Sequence, residues 1–262
     1  MASMASDDLL LKPLLYRYFH EAQFPDEWSV TFRKEVGVPR TADGWFHPSN
    51  HPLLTVRQLY YYLTAPEEWI GWQPDYTMRM STLMGSALHD FMQMGLMDLG
   101  LLMRPSGTCV ACGRHQPTGC GEFGAIDAKT GSRGHTDGLL KLKSGVKGFE
   151  LKSAAPMSIA TIADNDLAAL RKKWPYYWAQ QQEYQRMMGL EETILLMFGM
   201  GNPWEMREFK IPRDLTFQLG VERKYLLARE HHVLGTPPPA CCGPRSKEAR
   251  ECPAGGCEIK RL

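Results

Sequence analysis

Residues 134–152 read GHTDGLLKLKSGVKGFELK, two strand-like runs joined by a Gly-containing turn. Side chains alternate along a strand, so Glu150 and Lys152, two apart, share a face. A fold-back through Ser144 and Gly145 brings Asp137 to that face, which places two carboxylates and one ammonium in a small volume. These types suit a divalent-metal centre. Hard carboxylate oxygens hold Mg or Mn, the metal activates water and neutralises a phosphate, and the lysine meets developing charge. An amphipathic hairpin with solvated charges reads the same way in isolation, so the rest of the chain has to separate the two.

The chain has 262 residues, 44% of them hydrophobic and 23% charged, enough for one large domain or a core with attachments. A net charge of +1 leaves nucleic-acid binding to local patches. No apolar run approaches the roughly 20 residues of a membrane span, and the N-terminus lacks a signal-peptide pattern. The expected setting is cytoplasmic, with no membrane partner. Seven cysteines in a reducing compartment point to metal-bound thiolates, because disulfides are disfavoured there.

Before the hairpin, an apolar-periodic piece covers Leu9 to Phe19, and WSVTFRKEV (residues 28–36) reads as a strand. Thr55 caps a helix that ends near Pro66. A Met-rich helix from about Met78 to Met103, apolar nearly all round, reads as buried. Gly85 and His89 share one of its faces, the glycine admitting a close backbone neighbour towards which His89 would project. From Pro105 the composition changes, with Cys109-x2-Cys112, His115 and Cys120 forming a small metal-stapled insertion. Strands are expected at about 124–128, 134–143 and 147–153, then helices at 164–173 and 176–189 broken at Pro175. ETILLMFGM and Trp204–Ile211 read as paired strands, and a helix from Arg213 to about His232 closes the core. A tail with Cys241, Cys242, Cys252 and Cys257 follows the prolines at 237–239.

In WAQQQEYQRMM, Gln180 and Tyr184 stand four apart on one helical face, a pairing that suits a strand backbone and an unstacked base. Taken in order, Gly-x3-His, Gly-x2-Asp, Glu-x-Lys and Gln-x3-Tyr resemble the RecB-like branch of the PD-(D/E)xK nucleases, over about Thr55 to Met188. That branch includes the RecB and AddB nuclease domains, CRISPR-associated spacer-acquisition nucleases and phage exonucleases. The resemblance implies an α/β fold, a restriction-endonuclease-like core whose central mixed sheet is flanked by helices. It also implies that His89, Asp137, Glu150 and the Leu151 carbonyl hold Mg or Mn. Lys152 would assist water attack, and Gln180 and Tyr184 would contact DNA.

In the same family a Cys-Pro pair ends the helix after Thr55 and supplies the first ligand of an iron-sulfur cluster, with three more near the C-terminus. Here the pair is Ala65-Pro66, and the tail spacing is longer. Two arrangements remain. The tail closes a four-thiolate site with Cys241 or with one of Cys109, Cys112 and Cys120, or the insertion binds Zn through those three and His115.

The expected organisation is an N-terminal extension over 1–54, a nuclease core over 55–235 with its Cys-rich insertion at 105–122, and a metal-binding tail over 236–262. The expected function is an exonuclease on single-stranded or end-processed DNA, of a kind phages encode for recombination or replication, with oligomerisation or a recombination partner left open. The rivals are an endonuclease with the same centre and a non-catalytic DNA-binding adaptor.

Overall fold

The computed structural model describes residues 11–21, 42–70, 76–116 and 121–261. Residues 28–36 and Cys120 lie outside them. Strands β1 (Phe123–Asp127) and β2 (Ser132–Thr136) form an antiparallel hairpin. Strands β3 (Gly138–Leu142), β4 (Gly145–Ala154), β5 (Glu192–Gly199) and β6 (Asn202–Pro212) form a four-stranded mixed sheet in that order. The β4–β5 pair is parallel, and the pairs on either side of it are antiparallel.

The apolar run in β5 is a two-sided strand. Ile194, Leu196 and Phe198 face helices α1 (Leu11–Glu21) and α3 (Tyr76–Asp98), which also cover Leu140, Phe149 and Leu151. Leu195 and Met197 face the opposite way, onto α4 (Pro156–Ala160), α5 (Leu167–Lys173) and α6 (Pro175–Met188). Each such fully buried side chain contributes about 1.5–3 kcal/mol. The sheet is therefore flanked by helices on both faces. A third cluster joins α2 (Val56–Thr64) to α7 (Leu215–Leu234) through Leu59, Tyr62, Val221, Tyr225 and Phe46.

Local signals explain the helix ends. Thr55 and Gln58 form the reciprocal capping box of α2. Pro175 takes the first turn of α6, and Gly189 ends it in the left-handed region at φ +67°.

Two expectations need correction. The Met-rich helix ends at Asp98, and it is not buried all round: Met80 is 41% and Met84 53% exposed. Its apolar contacts with α1 and the sheet come from Leu88 onward. The run over 134–143 is not one strand either. It breaks at Asp137, passing from the β1–β2 hairpin to the central sheet.

Among the described residues no helix is long and apolar enough to cross a membrane. The tail carries α8 (Lys247–Glu251) and α9 (Glu258–Arg261) and packs on α2, with Tyr61 and Trp69 against Cys252, Ala254 and Cys257.

Candidate active site and metal centres

Asp137 stands at the corner between β2 and β3. The β3–β4 register pairs Gly138 with Phe149, so continuing it by one residue sets Asp137 opposite Glu150. There the carboxylate replaces the missing strand partner: Leu151 N donates to Asp137 Oδ2 at 2.7 Å. A residue's N–H and C=O leave an extended strand on the same side, so the Leu151 carbonyl opens towards Asp137 too.

Phe149 and Leu151 point into the α1–α3 core, which turns Glu150 and Lys152 to the other face. Lys152 Nζ lies 2.5 Å from Glu150 Oε1, and Gln180 Nε2 donates to the same oxygen at 3.0 Å. From α3, His89 Nδ1 comes within 3.8 Å of Asp137 Oδ2, its ring edge-on to Phe198. Gly85 permits the approach of α3, since a Cβ there would meet Ser153 Oγ at 2.6 Å. The close neighbour is thus a side chain on β4.

Burial raises the Glu150 carboxyl above its ordinary range, Asp137 raises it further, and Lys152 opposes. Burial disfavours the Lys152 ammonium, but Glu150 and Asp137 outweigh it and the net direction is up. Burial lowers the His89 imidazole against the pull of Asp137. Lys152 also sits over the Tyr177 ring.

Gln180 and Tyr184 are nearly closed to solvent, at 5% and 4% exposure. Gln180 holds Glu150, and the Tyr184 hydroxyl donates to the His135 carbonyl. Two further contributors carry no spacing signal. Thr136 Oγ1 donates to the Phe149 carbonyl at 2.7 Å, tying β2 to β4. Arg186 on α6 pairs with Asp127 and with the buried Glu183, and reaches Ser132 Oγ at 3.1 Å, which locks the β1–β2 hairpin onto the helix.

The oxygen and imidazole donors of this corner suit Mg or Mn by type. His89, Asp137 and Glu150 do not bring their ligand atoms mutually within 4.8 Å, and Glu150 is drawn to Lys152. Among the described residues the one group of three or more that does so is Cys109, Cys112 and His135, which could hold a metal ion.

This corrects the expectation for the insertion. His115 turns back to bridge Thr108, and β2 supplies the histidine instead. Cys109 and Cys112 gather beside β2, while Cys241, Cys242, Cys252 and Cys257 line a separate small cavity with Arg57 and Tyr61. That cavity lies along the first two turns of α2, which give it Arg57, Gln58 and Tyr61. A Cβ on Gly256 would lie 3.0 Å from Ala65 Cβ, and Arg57 and Tyr61 both bond Glu258.

No protein-family model matches the chain, and no curated protein matches it. Among solved structures, an alkaline exonuclease from Laribacter hongkongensis (LHK-Exo) gives a TM-score of 0.49 at 16% identity, covering 73% of this chain and 89% of that one. The same exonuclease in complex with dAMP gives 0.48 at 14%, covering 74% and 90%. SSO0001 gives 0.41 at 14%, covering 96% and 98%. These scores carry no functional argument, so function has to rest on the chain's own residues.

Proposed function

We propose that this chain is a metal-dependent deoxyribonuclease of the RecB-like PD-(D/E)xK type, hydrolysing phosphodiester bonds at the ends of single-stranded or processed DNA. The observation that carries it is the meeting of Asp137, Glu150, Lys152 and His89 at the open end of β3. A solvated hairpin does not fit that geometry. Glu150 is 2% exposed, and a carboxylate is rarely closed off from water unless its charge is used or matched.

In this reading His89, Asp137, Glu150 and the Leu151 carbonyl hold Mg or Mn. When bound, the ion supplies water activation and charge neutralisation at the phosphate. Lys152 faces the charge that develops on the phosphate oxygens, with its own protonation secured by the two carboxylates. Gln180 fixes the Glu150 carboxylate, and Tyr184 fixes the strand that delivers Asp137. Their part in DNA contact is then indirect, through the groups they orient. The proposed core is 55–235, joined by α1 from the 1–54 extension, with the tail 236–262 as a separate metal-binding unit.

For the tail we favour an iron-sulfur cluster. Four thiols line one cavity, the number of thiolates that such a cluster takes. Cys241 or Cys242 would take the ligand position that Ala65 leaves unfilled.

The test is cleavage of end-labelled single- and double-stranded DNA with Mg or Mn, alongside a covalently closed circle. Terminal products and an intact circle support an exonuclease. Cutting of the circle selects the endonuclease, and binding without cleavage selects the adaptor.

A further inference from the structure

We propose that Cys109, Cys112 and His135 form a zinc site, distinct from both the acidic corner and the tail, that fastens the insertion to β2. The donor set is one imidazole and two thiols, which selects zinc over Mg or Mn. Cys109 Sγ lies 3.3 Å from His135 Nε2, close to the roughly 3.5 Å that two ligands of a tetrahedral zinc subtend. All three ligand atoms fall within 4.8 Å of one another.

The local backbone is shaped for this purpose. Cys109-Val-Ala-Cys112-Gly113 closes a tight turn in which Gly113 N donates to the Cys109 carbonyl at 2.8 Å and Cys109 N to the Arg114 carbonyl at 2.9 Å. Gly113 takes φ +72°, a conformation that favours glycine, and closes the turn directly after Cys112.

A second glycine makes room on the sheet side. Gly124 on β1 pairs directly with His135 on β2, and a Cβ at Gly124 would stand 2.6 Å from Cys109 Sγ and 2.9 Å from Ala111 N. The missing side chain therefore lets the thiol turn dock beside the histidine. Two glycines and a histidine on three separate segments serve one contact.

The insertion has little else to order it. Cys109, Ala111 and Gln116 are its buried side chains among the described residues, too few for a core of their own. Zinc binding, with loss of the two thiol protons, supplies the ordering free energy. The staple also reaches the acidic corner, because His135 stands two residues before Asp137 and its carbonyl accepts from Tyr184.

Full-length protein reloaded with zinc alone should hold about one equivalent at this site. Cys112→Ser and His135→Ala should each reduce it about tenfold or more, while His115→Ala and Cys257→Ser leave it in place. Gly124→Ala, which removes no ligand, should weaken it similarly by crowding Cys109. Chelation should open the 105–116 stretch to proteolysis. Because a variant can fail by misfolding, the decisive reading keeps all three ligands and removes the tail's site: in Cys257→Ser, cobalt in place of zinc should still give thiolate-to-cobalt charge-transfer absorption. A Cys257→Ser protein with no such absorption, or zinc retained in both Cys112→Ser and His135→Ala, overturns the site. Neither result bears on whether the acidic corner cuts DNA.

Discussion

At the acidic corner, Glu150 and Lys152 stand on one strand, and Asp137 enters from the end of the strand paired with it. At the tail, Cys241, Cys242, Cys252 and Cys257 come from loops and two short helices lodged against α2. The first set is held by the sheet ladder and by bonds from Gln180 and the Leu151 amide, whether or not a metal binds. The second has three buried side chains, Cys252, Ala254 and Cys257, two of them thiols, as its own apolar cluster. A sheet can hold a site in advance; a tail of this kind takes much of its order from the ligand it binds.

The comparison breaks first at the tail. Replacing Cys257 with Ser should release the bound metal entirely and make residues beyond Pro239 protease-sensitive, while Mn affinity at the acidic corner stays near wild type. Metal analysis and limited proteolysis check the first part, and calorimetry the second. If Mn affinity collapses as well, the two regions are not independent.

On the sheet side, Arg186→Ala leaves Glu183 buried and unpaired and frees the β1–β2 hairpin from α6. The cost should be about 3–5 kcal/mol in denaturant unfolding, with the tail's metal retained in the folded fraction. A loss below about 1 kcal/mol would mean that the hairpin is held by packing alone.

Within the corner itself, Lys152→Ala should reduce cleavage by about 10²–10³-fold. Mn affinity should change little, since the lysine is not a ligand. Unchanged turnover would remove Lys152 from the chemistry.

A fourth effect belongs to neither region and calibrates both. Burial raises the Glu208 carboxyl from 4.5 to about 7, although the Lys12 and Leu11 amides and the Lys210 charge oppose it; Asp164 adds to the rise. The folded state therefore binds this proton more tightly than the unfolded chain. The stabilisation is complete below about pH 4.5 and is lost as pH rises through 7. Glu208→Gln should recover at most about 3 kcal/mol at pH 8 and almost nothing at pH 4. Thermal melts at the two pH values check it; equal shifts at both would refute the raised carboxyl.

The corner was legible because its residues lie close in sequence and obey strand alternation. Glu150 and Lys152 need only period two, and the Gly-containing turn returns Asp137 to them. What was hidden is the break at Asp137, since GHTDGLL keeps strand-like residues on both sides while the partner strand changes. His135 was hidden for a related reason. A histidine inside a strand carries no ligand spacing, and His115, nearer the thiols in sequence, was the natural choice. The tail announced a metal through its four cysteines. Which thiols share a site depends on the docking of Gly255 and Gly256 against Glu68 and Ala65, a long-range contact that no local pattern encodes. Arg186 was missed likewise, because its partners Asp127 and Ser132 lie more than 50 residues away.

The central claim is that Asp137 and Glu150 together bind a catalytic divalent ion. Its most direct measurement pairs Mn calorimetry with cleavage of end-labelled single-stranded DNA for wild type, Asp137→Asn and Glu150→Gln, all verified as folded by circular dichroism. The account predicts Mn-dependent cleavage by the wild type, and loss of both cleavage and the Mn-binding heat in each variant. Cleavage at the wild-type rate by Asp137→Asn would contradict it.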